Sequence, residues 1–211
     1  MKLPSTYVLD KESIKLNAYR LLTLFYANKE IARQSNPAQR DDAASQLERL
    51  FFGAEMAKIL LNIAIAVRVF DDQMKDLAIT DPLRAGYFKR RDEVNRRHPC
   101  MMFDEMPLRE VCNKIIHATT VEPHSIQGAE AHQIDGYNWL GWSEAQESMQ
   151  EEVGPRPDQI EWEHLSGNIR LGGSQSKEQW WHLLEVPTFV NAVFELVHPE
   201  ISILQVGSDP K

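Results

Sequence analysis

Arg109, Asn113 and His117 stand four residues apart in the segment Met106-Pro-Leu-Arg-Glu-Val-Cys-Asn-Lys-Ile-Ile-His-Ala-Thr-Thr120. On a helix, residues at that spacing share one face, each turned by roughly 40° from the last. A guanidinium can grip a phosphate at two points and stabilise charge that develops on it. An imidazole titrates near neutral pH and can move a proton, and an amide can orient either group. In RNA the adjacent 2′-hydroxyl can attack phosphorus, so this chemistry needs no metal ion. The candidate catalytic set is therefore His117 as general acid/base, Arg109 as phosphate clamp and Asn113 as orienting residue. The same three residues also suit a structural role: a half-buried His117 bonded to a main-chain oxygen, Arg109 paired with a carboxylate, Asn113 capping a neighbouring segment. Three polar residues at this spacing are common, and the spacing alone weighs toward the structural role.

The stripe needs a frame. Leu108, Val111, Cys112, Ile115 and Ile116 form the apolar face beside it, while Glu110 and Lys114 are expected to point to water and pair across one turn. Upstream, the helical period predicts a helix from Lys11 to Gln34, capped by Asp10 and stopped at Ser35-Asn-Pro37, with Ile14, Ala18, Leu21, Leu22, Phe25 and Tyr26 inward. A longer helix is expected from about Gln39 to Gln73, with Leu47, Leu50, Phe51, Ala54, Ala57, Leu61, Ala64 and Arg68 in register. Beyond Ile59 it is apolar on nearly every side, which places it at a bundle centre or under a partner chain. Thr80-Asp81-Pro82 opens a third helix, and His98-Pro99 stops it.

After Thr119 the character changes. Strands are expected at Thr119–Glu122, Gln159–His164, Asn168–Gly172 and Gln179–Val186, with turns at Leu165–Asn168 and Gly172–Ser176. An acidic loop spans Glu144–Asp158, and a last helix runs from Pro187 to about Val197. Trp180 and Trp181 should lie on opposite faces of their strand, while Trp139 and Trp142 stand in a loop. The fold class is thus α+β, mainly α: a four-helix up-down bundle in residues 1–120, then a small antiparallel sheet and a C-terminal helix in residues 121–211, packed on the bundle as one unit.

Composition narrows the function classes. A formal charge of -8 over 211 residues argues against broad, charge-driven nucleic-acid binding, although Lys89, Arg90, Arg91, Arg96, Arg97 and His98 form a local basic cluster, read first as a solvated helix face. Two cysteines, Cys100 and Cys112, are too few for a disulfide framework. The apolar run Ile59–Phe70 is too short for a membrane span and carries Arg68, and no signal-peptide core follows Met1, so a cytoplasmic protein without a membrane partner is expected. The seven histidines form no metal-ligand spacing, and Asp71, Asp72 and Asp76 read as surface charge. No phosphate-binding glycine loop or nucleophile elbow is present, and no cofactor is expected.

Cys112-Asn-Lys-Ile-Ile-His-Ala118, late in a four-helix bundle, resembles the signature of HEPN domains: an arginine, a polar residue such as asparagine, and a histidine a few residues on. The resemblance covers about residues 11–120. It implies a helical bundle, often dimeric, acting in toxin–antitoxin, antiphage or RNA-processing systems, in many cases as a metal-independent RNA endonuclease. It makes His117 the catalytic histidine and Asn113 the polar residue. Where the family has its arginine this chain has Cys112, and Arg109 stands one turn earlier. A second reading from the same residues is a non-catalytic interaction module, a homodimer or a subunit of a larger assembly, using the apolar second helix and the tryptophans.

Overall fold

The computed structural model describes residues 10–34, 42–128, 162–175 and 178–198. Among them are five helices and three strands: α1 (Lys11–Gln34), α2 (Ala43–Asp76), α3 (Pro82–Arg97), α4 (Leu108–His117), β1 (Thr120–Gly128), β2 (Trp162–Gln175), β3 (Glu178–Glu185) and α5 (Val186–Val197). The fold is α+β and mainly α, a helical bundle with a small antiparallel sheet and a closing helix.

The first four helices start where a side chain supplies an acceptor for a free N–H group of the first turn. Asp10 accepts from the main chain of Glu12 and Ser13, both at 3.1 Å. Asp42 accepts from Ser45 at 2.9 Å, so α2 begins four residues later than expected, and it runs on to Asp76. Asp81 caps Leu83 at 2.8 Å ahead of Pro82, as the sequence suggests. Asn95 of α3 accepts from the N–H of Leu108, which sets the start of α4.

A single apolar core joins both halves of the chain. Leu21 and Phe25 of α1, Leu60 and Ile63 of α2, Val111 and Ile115 of α4, Ile169 and Leu171 of β2 and Phe189 and Val193 of α5 are all sealed in it. Asn28 ties three elements together: its amide donates to Glu48 at 2.7 Å, and its oxygen accepts from the Leu165 N–H at 2.8 Å. Arg97 on α3 meets Glu195 on α5 at 2.7 Å.

Several expectations are corrected. Tyr26 is exposed rather than inward. On α2, Leu47, Leu50 and Phe51 keep the helical spacing and are exposed. By length and composition α2 could cross a membrane, yet one side of it, including Met56, Ile59, Leu60, Ile63 and Val67, is core of the bundle. Leu165–Asn168 is not a turn. It lies inside β2, which runs unbroken for 14 residues. Its turn-like composition instead serves a break in register opposite His124, with Gly167 at φ 91°, a conformation that suits glycine. The hairpin after β2 closes further on, since Gln175 pairs with Glu178, so Gly172 and Gly173 are strand residues. The expected N-terminal lead, the Ser35-Asn-Pro37 stop, the acidic Glu144–Asp158 loop, Trp139 and Trp142, and the start of the second expected strand lie outside the described residues.

The sheet order is β1-β2-β3, all antiparallel. Its inner face carries Leu171, Leu184 and Trp180 against the core, while Trp181 is exposed on the outer face, as alternation requires. A methyl group at Gly173 would overlap the Trp180 ring. Gly173→Ala should therefore destabilise the fold by about 1–3 kcal/mol, the usual range for overpacking. Thermal unfolding checks this: a lowered Tm is expected, and an unchanged one would show that the ring has room to move.

Candidate functional site

The inner row of α2 runs through Ile63, Ala64, Val67 and Phe70 and then reaches Asp71, which is equally buried. A carboxylate placed in an apolar row must find donors. Asp71, with 4% of its side chain exposed, finds them on two other helices. Tyr87 of α3 donates its hydroxyl at 3.0 Å, Arg91 of α3 approaches at 3.3 Å, and Arg109 of α4 donates to the other oxygen. The expectation that Asp71 is surface charge is thus overturned.

From Asp71 the polar contacts spread to the rim. The second Nη of Arg109 pairs with Asp72 at 2.7 Å, and Arg68 approaches the same residue at 3.8 Å. Arg68 also donates to the amide oxygen of Asn113, whose nitrogen donates to Glu110 at 2.9 Å. Three guanidinium groups and two aspartates from three helices thus form one cluster. The expected Glu110–Lys114 pair is replaced: Glu110 takes Asn113, and the Lys114 ammonium lies 4.4 Å from the centre of the Trp180 ring.

The three candidate residues fare differently. Arg109 and Asn113 are joined through Asp72 and Arg68. His117 ends α4, roughly 12 Å along the helix axis from Arg109. It is exposed, and none of these hydrogen bonds includes it. Arg109 is paired with carboxylates, as its structural role would have it, whereas His117 is neither half-buried nor sealed by apolar neighbours. A hollow of about 570 Å³ lies elsewhere, between α1 and α2, lined by Asn17, Asn62, Ile65 and Val69 among others.

Electrostatics follow from burial and pairing. Burial works against the charge on Arg109, but hydrogen bonds and charges from Asp72 and Asp71 outweigh it and raise the pKa above the ordinary arginine value. Burial, reinforced by the Asp71 charge and hydrogen bond, holds the Tyr87 hydroxyl well above its usual range. Burial likewise pushes the Cys100 thiol up to about 12 and Cys112 higher still, so neither is a ready nucleophile. Cys112 is fully buried, which bears on the displaced arginine. A guanidinium at position 112 would have to enter the core, whereas one at position 109 reaches the carboxylates of α2. Among the described residues, no three His, Cys, Asp or Glu side chains group as metal ligands.

Asp71, Tyr87, Arg91 and Arg68 are the polar partners that the sequence reading left out of the site. One signal was present: Asp71 follows Ala64 and Val67 at helical spacing and so falls on the inward row. In comparisons with known proteins no family model matches the chain, and no curated protein or solved structure matches it either.

Removing one member of a buried charge cluster strands the others. Asp71→Asn should cost about 3–5 kcal/mol of folding stability. Asp72→Asn, at a half-exposed site, should cost about 1 kcal/mol or less. Urea unfolding of the two variants measures the contrast, and equal losses would contradict the assigned anchor.

Proposed function

We propose that this chain is a HEPN-like helical-bundle protein that cleaves RNA without a metal ion, in a defence or toxin-type role. The observation that carries the reading is the pairing, on one short helix, of a solvent-open His117 with an Arg109–Asn113 pair braced from α2. His117 takes the proton of a 2′-hydroxyl, whose oxygen attacks the adjacent phosphorus. The 5′-oxygen leaves and is protonated by water, and a 2′,3′-cyclic phosphate remains. Arg109 keeps Asp71 and exchanges the exposed Asp72 for a phosphate oxygen, so that it stabilises charge on the transferring group. Asn113 holds Arg68 at the same rim.

RNA cutting in EDTA tests this. His117→Ala should lower the rate by about 10²–10⁴-fold while the fold is kept. Unchanged cutting by that variant removes His117 from the mechanism.

A second reading, an interaction module that works as a homodimer, has its own support. The outward row of α2 carries Leu47, Leu50, Phe51, Leu61 and Ile65, all exposed, Phe51 at 61%. At steps of three and four residues the same row continues into Arg68 and Asp72, so an apolar seam leads to the polar cluster. Light scattering should give twice the 24.3 kDa chain mass, and Leu50→Glu with Phe51→Glu should halve it. A wild-type mass of one chain counts against the dimer.

A further inference from the structure

Trp181 is 64% exposed, although the β3 strand that carries it is paired and its alternate residues are core. It sits mid-strand on the outer face, at the β3 end of its cross-strand row. Its direct partner is Gly172, and the partner of Gly172 on β1 is Thr120. Gly172 has no side chain, so one side of the indole has no bulky neighbour in its own row. The next row on that face is Glu122, Arg170 and Leu183, with Arg170 and Glu122 3.8 Å apart and both largely exposed. Ser174 and Gln179 flank the other side and are also exposed. Among the described strand residues of this face the indole is the one aromatic side chain, with polar residues in the rows on both sides and Leu183 half-buried in one of them. An interface between proteins buries its aromatic anchors among other apolar groups. A single flat ring among polar residues, with a guanidinium close by, matches what an unpaired base uses: stacking on one face and charge for the backbone.

The position relates to the candidate stripe. Two residues after His117, the Thr119 N–H donates to the Gly172 oxygen at 2.8 Å and ties the exit of α4 to the row that holds Trp181. Three residues of chain and two strand spacings bound the separation of the His117 and Trp181 α-carbons at roughly 20 Å. An unpaired strand that joins the two rounds the edge of the sheet, because Lys114 of α4 lies over Trp180 on the inner face while Trp181 is on the outer one.

We propose that Trp181 is a stacking platform for an unpaired nucleobase, and that the outer sheet face makes this protein select single-stranded RNA. The inference rests on the reading of the chain as one that acts on RNA, and deepens it by naming the form of RNA. The full-length protein in EDTA is titrated into three fluorescein-labelled probes: a ten-nucleotide single-stranded RNA, the same ribose-phosphate backbone without bases, and a ten-base-pair RNA duplex. Anisotropy reports binding. Trp181→Ala should weaken binding of the base-bearing single strand by about 5- to 150-fold and leave the abasic strand unchanged, while Trp181→Phe recovers most of the loss. The wild type should bind the duplex no better than the abasic strand. Equal binding of the base-bearing strand by wild type and Trp181→Ala, or no binding by the wild type, overturns the platform. A fall in solution mass of Trp181→Ala with RNA binding unchanged also overturns it and assigns the indole to a contact between copies. Cleavage is scored separately. Base-dependent binding through Trp181 without any cutting keeps the platform and removes the endonuclease, whereas cutting that ignores Trp181 does the reverse.

Discussion

A carboxylate with almost no access to water joins three helices of this protein. Asp71 comes from the inner row of α2, and its donors come from α3 and α4. In a low-dielectric setting such a group is costly alone and secure when fully paired. Clusters of this kind are seldom the most stable choice, because well-packed apolar residues of similar volume do as well or better. What the cluster supplies is position. It fixes the azimuth of α4 about its own axis, since Arg109 must face Asp71 while Leu108, Val111, Cys112 and Ile115 face the core.

The rest of the candidate site follows from that azimuth. With Arg109 turned to α2, Asn113 falls one turn on, beside Arg68, and His117 falls beyond the cluster, open to water. Arg109 thereby becomes a held residue whose one exchangeable partner is Asp72. The short link from His117 to Thr119 then carries the constraint into the sheet, where Gly172 accepts the Thr119 N–H and Trp181 lies on the outer face. One buried acid on α2 thus sets the placement of an imidazole on α4 and, through the Thr119–Gly172 bond, ties that helix to the strand row that ends in Trp181.

Local signals in the chain were legible and tertiary ones were not. Asp10, Asp81-Pro82 and His98-Pro99 mark helix ends through nearest-neighbour chemistry, and the structure agrees with each. The adjoining apolar face of α4 was equally readable from its period. The burial of Asp71 depends on Tyr87, Arg91 and Arg109, which stand 16, 20 and 38 residues away, and no local pattern announces such partners. For a related reason the outward side of α2 is not legible: a helix apolar on nearly every side does not say which side turns in. At Leu165–Asn168 the composition matched a turn, but long-range pairing with β1 kept the strand going and used Gly167 for an irregularity instead.

The central claim is that the α4 stripe, held by Asp71, meets RNA at His117. NMR of the His117 imidazole during titration with a non-cleavable 2′-O-methyl RNA strand tests it most directly. A saturable shift of the His117 ring nitrogens is expected in the wild type, with a weakened response when Arg109 is replaced by Lys, which cannot hold both Asp71 and Asp72 in the same fork. Ring signals that stay still while the strand binds would contradict it.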